Sequence, residues 1–526
     1  MNRSRVWMVG SLAAALCIQF LYARHATVPI IKNDSYQYLD AASNVLSDRC
    51  LCTSLAHFDE QLRWSRFPIP FTHFGAGYPL AMAALGGLGI PVETAGYLLS
   101  VAGYLVVVWL LWVAGSNLGL QPWCTAFLCV IWCLNFLALE FSASLLTESL
   151  FTAALMAVIA LMAHDLRHSD RTSWVVFLGM GFVAGWSYWL RGAGIFVIAP
   201  VILYLAWRCG HEHRIWRQGA AGACLAVVMM AAVMIRNIEL AGSWKGGFVS
   251  AHRSEVRKVL IDWVKVPYRI FFGTEVGSRL DVWAVLFVIA ALLLMWRAVS
   301  NWRQRSQFGF HDSAAATGIC SFLTAGIYAG GILLVTLTTI ATDSVRYSFP
   351  ILPVLLLGCG VLFQLAARGI GRVATIVFVV SLVVINVRSL TVVPPPSEHA
   401  VVEGLLEGET QPGVPMRTWI EGHLSEDTVL MAANGQAVHY LLKRPVVSLL
   451  FPGESEHTWD EADAQAVMRR FHAEYFMLFP GIPREALPVQ YGSSFLADLV
   501  SGKPPSWLRL VARKGGVLVY HCAGCA

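Results

Sequence analysis

Long apolar runs recur along the first three quarters of this chain, and they limit its fold more than any other feature. A helix needs about 20 mostly apolar residues to cross the hydrocarbon of a bilayer. Eleven runs near that length occur, at 6–23, 93–115, 122–139, 145–163, 174–190, 193–208, 217–235, 281–298, 314–338, 347–366 and 373–392. The fold class they predict is an all-α polytopic membrane protein of about eleven transmembrane helices. A shorter run, 77–90, is read as a helix lying in the interface. Composition agrees: 56% of the 526 residues are hydrophobic and 13% are charged, against about 25% charged in soluble domains. A water-soluble enzyme, a disordered chain and a nucleic-acid binder are poor fits.

Basic residues in short loops set the orientation. With the N-terminus inside, the inner loops hold Arg3, Arg5, Arg167, Arg171, Arg208, Arg214, Arg217, Arg297, Arg303, Arg305, Arg368 and Arg372. The short outer turns hold Arg191 and Arg346. Two long loops, 24–92 and 236–280, then fall outside, and so does everything after the eleventh helix. The expected division is a transmembrane domain, 1–393, and an extracytoplasmic domain, 394–526. Charge is distributed accordingly: from Glu398 on there are 10 Lys+Arg against 15 Asp+Glu, and before it 28 against 18.

Pro394-Pro395-Pro396 marks the boundary as a stiff spacer. Beyond it, short apolar strands at 428–433, 446–450, 475–479, 508–513 and 517–521 alternate with helical stretches near 436–442 and 460–472. This pattern predicts a small α/β domain. It carries no phosphate loop, no H-E-x-x-H and no nucleophile elbow, so a cover or an acceptor-docking role is expected. Most of the 12 cysteines lie in apolar helices. Cys50, Cys52, Cys522 and Cys525 face the oxidising side in this topology, where disulfides form. Cys522 and Cys525 are expected to bond to each other or to Cys50 and Cys52, which would tie the tail to the first loop.

Several polar residues stand out at the outer helix ends. Asp34 opens a helical stretch through Tyr38 and Ala41/Ala42. It serves either as an N-cap or as a carboxylate that takes a proton from an acceptor hydroxyl. Glu148, in Leu145-Leu146-Thr147-Glu148-Ser149, begins the fourth span, where an apolar setting makes a carboxylate costly. Arg191, Arg236 and Arg346 are isolated cations on the same side. One such arginine is ordinary snorkelling; three with carboxylates make a cradle for phosphate, because guanidinium donors match its oxygens. His73 precedes the interfacial helix that holds Tyr78, and Tyr347 follows Arg346. The segment 253–272 is amphipathic, with Val256, Val259, Leu260, Trp263 and Val264 against Arg257, Lys258, Lys265 and Arg269, as in a helix lying on lipid.

In order along nearly the whole chain, these residues resemble the motifs of the GT-C integral-membrane glycosyltransferases. Within them the likeness is to the protein O-mannosyltransferase and lipid A aminoarabinose transferase group. Asp34…Tyr38…Ala41 resembles the acidic first-loop motif. His73 through Leu80 resembles the segment with a basic residue before a Gly/Pro-Tyr helix. Phe141-Ser142 and Glu148 resemble the second acidic position, Arg191-Gly192 stands where Lys-Gly is usual, and Arg346-Tyr347…Pro350…Pro353 resembles the opening of a late helix. The tail segment 428–450 resembles the periplasmic domain of bacterial members. The departures are Ser35 where the family often has Glu after Asp, and Arg for Lys at 191.

The resemblance implies a mannosyltransferase-like enzyme of the bacterial cell envelope. It would be set in the inner membrane and move a hexose or pentose from a polyprenyl-phosphate donor to a glycan, lipid or protein acceptor, with inversion. Asp34 carries over as catalytic base, with Glu148 as second catalytic acid. Arg191, His73 and Arg346 carry over as phosphate ligands, with Tyr38, Tyr78, Arg236 and Tyr347 as further substrate contacts. No Asp-x-Asp occurs, so no metal and no cofactor are expected. Two other readings compete. A transporter or flippase of a lipid-linked glycan would spread charges through the midplane of several helices. A non-catalytic assembly protein would have kept only the fold.

Overall fold

The computed structural model describes residues 3–26, 28–32, 34–57, 64–168, 173–246, 256–272, 282–301, 312–338, 344–366, 370–390, 398–408, 414–449, 459–484, 486–514 and 516–525. The proline spacer 394–396, Arg171, Arg303, Arg305 and Arg368, and parts of both long loops lie outside them. In chain order the helices are α1 Arg3–His25, α2 Asp34–Ser47, α3 Gly77–Gly86, α4 Val92–Asn117, α5 Pro122–Leu134, α6 Phe136–Ala143, α7 Glu148–Arg167, α8 Trp174–Leu190, α9 Ile195–His211 and α10 Trp216–Ala241. There follow α11 Val256–Phe272, α12 Val282–Asn301, α13 Asp312–Thr338, α14 Ser344–Ser348, α15 Leu352–Leu365 and α16 Ile370–Leu390. Each of the eleven apolar runs is helical over most of its described residues. Among the described residues, eight helices are long and apolar enough to cross a membrane, nine if the bent pair α5–α6 is one span. The runs at α8, with 17 residues, and at α12 fall outside that set. The chain is a multi-pass membrane protein.

The chain forms two compact units. The first comprises Met1–Pro29, Gly96–Val233 and Arg253–Pro394. Here α7 packs on α8 and α13, α9 on α8 and α13, α12 on α16, and α1 on α5. Helix α4 reaches the start of α7 through Gly103, where an added Cβ would come 2.7 Å from the Ser149 backbone. The α5–α6 break is bent by 60°. Backbone groups at such a break need partners inside the protein, and two asparagines supply them. Asn135 accepts from the Ala138 N–H at 3.0 Å and donates to the Ile270 carbonyl at 3.0 Å. Asn386 accepts from the Phe136 N–H at 3.2 Å and donates to the Phe271 carbonyl at 3.0 Å. These bonds also seat the end of α11. That helix buries Val259, Val266 and Ile270 and exposes Val256, Leu260, Ile261 and Val264.

The second unit comprises Ile30–Ala95, Met234–His252 and Pro395–Ala526. It joins the tail to parts of both long loops, whereas the expected division cut the chain at 393/394. Its helices in the tail are α17 Glu398–Glu407, α18 Met416–His423, α19 Gly435–Leu442, α20 Glu461–Phe471 and α21 Ser494–Val500. Its strands are β1 Cys52–Thr53, β2 Leu55–His57, β3 Ile69–Pro70, β4 Leu430–Ala432, β5 Val446–Ser448, β6 Tyr475–Leu478, β7 Leu508–Lys514 and β8 Val517–Cys522. β1 pairs with β3, and the other six form one sheet in the order β2-β5-β4-β6-β8-β7. The five expected tail strands are all present. The sixth, β2, comes from the first long loop and pairs parallel with β5, Leu55 opposite Val446 and His57 opposite Ser448. Three residues carry too little alternation to announce a strand; the open edge of β5 recruits them.

The cysteine pairing is local. Cys50 bonds to Cys52 and Cys522 to Cys525, with Cα atoms 5.3 and 5.6 Å apart, inside the range a disulfide spans. No disulfide joins the tail to the loop. β2 and side-chain contacts do so instead.

Candidate active site

In the first unit the site is built on the first residue of α7. Glu148 is 0% exposed. Its Oε1 accepts from Arg191 Nη1 at 2.6 Å and also from Arg346 Nε. Arg191 ends α8 in an extended conformation, and its carbonyl accepts from the Gly194 N–H at 2.8 Å. Only glycine fits at 194, because a Cβ there would lie 2.3 Å from the Tyr188 nitrogen. This tight turn directs Arg191 back to α7. Arg346 lies in α14, one residue before Tyr347, whose ring sits 4.6 Å from the Arg191 guanidinium. Tyr328 of α13 donates to the Tyr347 carbonyl at 2.8 Å and fixes that turn.

Three charges at one buried point have a clear electrostatic consequence. Two guanidiniums, Arg191 and Arg346, share the one carboxylate of Glu148. Glu148 Oε2 has no hydrogen-bond partner among the described residues. A buried ion cluster costs several kcal/mol in desolvation per ion, and guanidinium donors gathered at one point match the oxygens of an anionic ligand. Of the residues singled out in the sequence, Glu148, Arg191, Arg346 and Tyr347 are brought together here. Tyr328 was not anticipated; a tyrosine inside an apolar span was the only signal.

A second buried ion cluster lies at the other end of α7. Asp165 accepts from Tyr204 Oη at 2.6 Å and Arg208 Nε at 2.7 Å, and Arg208 also pairs with Glu212 at 3.0 Å. These groups join the ends of α7 and α9.

The second unit holds the remaining candidates. Asp34 is the first residue of α2. Tyr38 is buried, with ring centroids 5.6 Å from Phe74 and 5.3 Å from Tyr78. His73 stacks edge-on against Phe74 at 4.4 Å. Tyr38, His73 and Tyr78 are thus gathered around one aromatic cluster. Part of His73 stays open to solvent, yet burial of the ring lowers its pKa to about 4, so at neutral pH it is a neutral hydrogen-bonding group. The neighbouring Thr72 carbonyl is approached by Gly246, where a Cβ would lie 1.9 Å away and φ is +93°. Arg236 reaches the Leu51 carbonyl at 3.4 Å.

Asp40, the other acid of α2, is fully engaged. Its Oδ2 accepts from Thr53 Oγ1 at 2.6 Å and from the Ser54 N–H at 2.6 Å. Its Oδ1 meets Asn44 Nδ2 at 3.3 Å and His439 Nε2 at 3.1 Å. Burial pushes the Asp40 carboxyl up, but His439 and the other hydrogen bonds outweigh it and hold the pKa below its ordinary value. Burial pushes the His439 imidazole down, but Asp40 and the Arg444 carbonyl outweigh it and hold it above its ordinary value. Among the described residues no group of three or more His, Cys, Asp or Glu could hold a metal ion.

No family model matches the sequence, and no curated relative does. Solved structures do match. ArnT from Cupriavidus metallidurans bound to undecaprenyl phosphate superposes with a TM-score of 0.56 at 14% identity, covering 99% of this chain and 99% of that one. The archaeal oligosaccharyltransferase AglB from Archaeoglobus fulgidus, in complex with an inhibitory peptide and a dolichol-phosphate, gives 0.55 at 11%, covering 100% and 75%. The arabinofuranosyltransferase AftD from Mycobacteria gives 0.53 at 13%, covering 98% and 41%. The chain has the fold of the GT-C membrane glycosyltransferases.

Proposed function

We propose that this protein transfers a sugar from a polyprenyl-phosphate donor to an acceptor on the outer face of a bacterial inner membrane. The N-terminus is cytoplasmic and the tail extracytoplasmic. The observation that carries the reading is the pairing of Arg191 and Arg346 on one buried carboxylate, Glu148. Glu148 orients the two guanidiniums, and their N–H groups receive the donor phosphate. The acceptor oxygen attacks the anomeric carbon from the side opposite the phosphate. The bond from that carbon to the phosphate oxygen breaks, and its electron pair stays on the polyprenyl phosphate. Negative charge on that oxygen grows toward the transition state, so cations aimed at it stabilise the transition state more than the ground state. Asp34 takes the acceptor proton. Arg236, His73, Tyr38, Tyr78 and Tyr347 are assigned to binding donor or acceptor. The solved undecaprenyl-phosphate and dolichol-phosphate complexes of proteins with this fold support a lipid-phosphate substrate.

The charged trio sits at helix ends, where α7 begins, α8 stops and the span of α14 and α15 opens. That favours a transferase over a flippase, which needs charge along the midplane. The test is an assay of membranes containing the protein with radiolabelled polyprenyl-phosphate sugars, supplied one at a time with envelope extract as acceptor. Label should move to an acceptor with one donor and stay on the lipid with an Arg191→Met protein. Labelled lipid crossing sealed vesicles without any transfer would establish the flippase reading instead.

A further inference from the structure

We propose that His439, in the tail, is a positioning residue that holds the Asp34-bearing helix in place through Asp40. The inference rests on the reading of Asp34 as the base, and it gives the tail a task other than covering or docking. Asp34 and Asp40 lie on the same 14-residue helix, α2. A hydrogen-bonded helix is stiff over six residues, about 9 Å, so a fixed Asp40 fixes the start of the helix. Tyr36 adds a second hold: its Oη lies 3.3 Å from His399 Nδ1, and its ring lies 5.6 Å from that of Tyr440.

The hydrogen-bond pattern determines the charge state of the clasp. The Arg444 carbonyl lies 2.7 Å from His439 Nδ1 and can only accept, so Nδ1 carries a proton. The Asp40 carboxylate lies 3.1 Å from Nε2 and also only accepts, so Nε2 carries one too. Both bonds together require an imidazolium. The raised pKa of His439 and the lowered pKa of Asp40 agree with this. Deprotonation would leave an Nε2 lone pair facing a carboxylate.

The segment that carries His439 is held by several contacts of its own. Asn434 caps α19 by accepting from the Ala437 N–H at 3.3 Å. Gly435 lies so close to β5 that a Cβ would come 2.6 Å from Ser448 Cα. Ser448 in turn pairs with His57 of β2 and with Ala432 of β4. Arg444 is held by the Ser425 and Leu424 carbonyls at 3.0 and 2.7 Å. Among the described residues the tail therefore grips the first loop at β2, at Asp40 and at Tyr36. The other groups around the pair are Asn44, Thr53 and the Ser54 N–H beside Asp40, and Lys443 beside His439, with Glu93 acting on Lys443.

The experiment measures hydrogen–deuterium exchange of the full-length protein in nanodiscs, on peptides covering α2 and, as a folding control, β6. Removing one partner of a buried charged pair loosens what it holds, so His439→Ala should speed α2 exchange by roughly 10-fold to 100-fold while β6 stays protected. In the wild type, α2 exchange corrected for its intrinsic rate should rise with pH as His439 loses its proton. In His439→Gln, whose amide still donates to Asp40 but does not titrate, that rise should vanish. Transfer measured in parallel should show kcat falling in His439→Ala with the donor KM unchanged, and recovering in His439→Gln. Unchanged α2 exchange in a folded His439→Ala protein overturns the proposal. Faster exchange with unaltered transfer leaves the clasp standing and removes Asp34 as the base.

Discussion

Arg191 Nη1 meets Glu148 Oε1 at 2.6 Å, inside the protein and with the carboxylate closed to solvent. The residues are 43 positions apart, at the end of one helix and the start of another that packs against it. Arg346 arrives at the same oxygen from a third element, so removing the acid exposes two cations to each other.

Glu148→Gln should therefore destabilise the protein strongly. Leaving a buried charge without its partner costs about 3–5 kcal/mol. Thermal unfolding in detergent is the measurement. A midpoint equal to that of the wild type would show that the trio contributes nothing to the fold.

Arg346→Ala should weaken both donor binding and turnover. A phosphate contact exists in the ground state and strengthens in the transition state, so KM for the donor and kcat should both worsen. Binding of polyprenyl phosphate by titration, alongside steady-state kinetics, separates the two. Loss of kcat at unchanged lipid affinity would place Arg346 away from the phosphate.

Asp34→Asn should keep donor affinity and lose turnover. General-base catalysis contributes about 10²–10⁴-fold, and the amide preserves the size of the side chain. Full activity in this variant would rule out Asp34 as the base.

The Asp40–His439 pair predicts how the stability of the second unit depends on pH. Asp40 titrates lower in the folded protein than in the unfolded one. Its contribution is present above the ordinary carboxylate value near ~3.9 and disappears as pH falls through the folded pKa. His439 titrates higher when folded. Its contribution is complete below the ordinary imidazole value near ~6.5 and disappears as pH rises through the folded pKa. Protease resistance of the tail should peak between those two ordinary values, and Asp40→Asn should flatten the peak. A wild-type curve as flat as that of the variant would count against the ion pair.

Peptide mapping without reduction should find Cys50–Cys52 and Cys522–Cys525 each within one peptide. Cys522→Ser with Cys525→Ser should leave β2 paired with β5. A loop-to-tail crosslinked peptide would contradict the pairing.

Much of this architecture is written in local pattern. Apolar runs of spanning length, basic residues in short loops and alternating strands in the tail are properties of neighbouring residues, and the physics that reads them is transfer from water and backbone periodicity. Glu148, Arg191 and Arg346 could also be picked out one at a time, because a charge in an apolar stretch is costly wherever it occurs.

Tertiary packing alone decided which of these charges meet. Asp40 and His439 are 399 positions apart and neither carries a local signal of its partner. Leu55-Ala56-His57 becomes a strand only because β5 offers an open edge, and the cysteines that looked able to join loop and tail instead close on their neighbours. Local sequence determines what each segment can bury. Which distant segment lies against it is selected by the whole set of contacts, because a buried ion or an unpaired strand edge finds its partner through the fold and not along the chain.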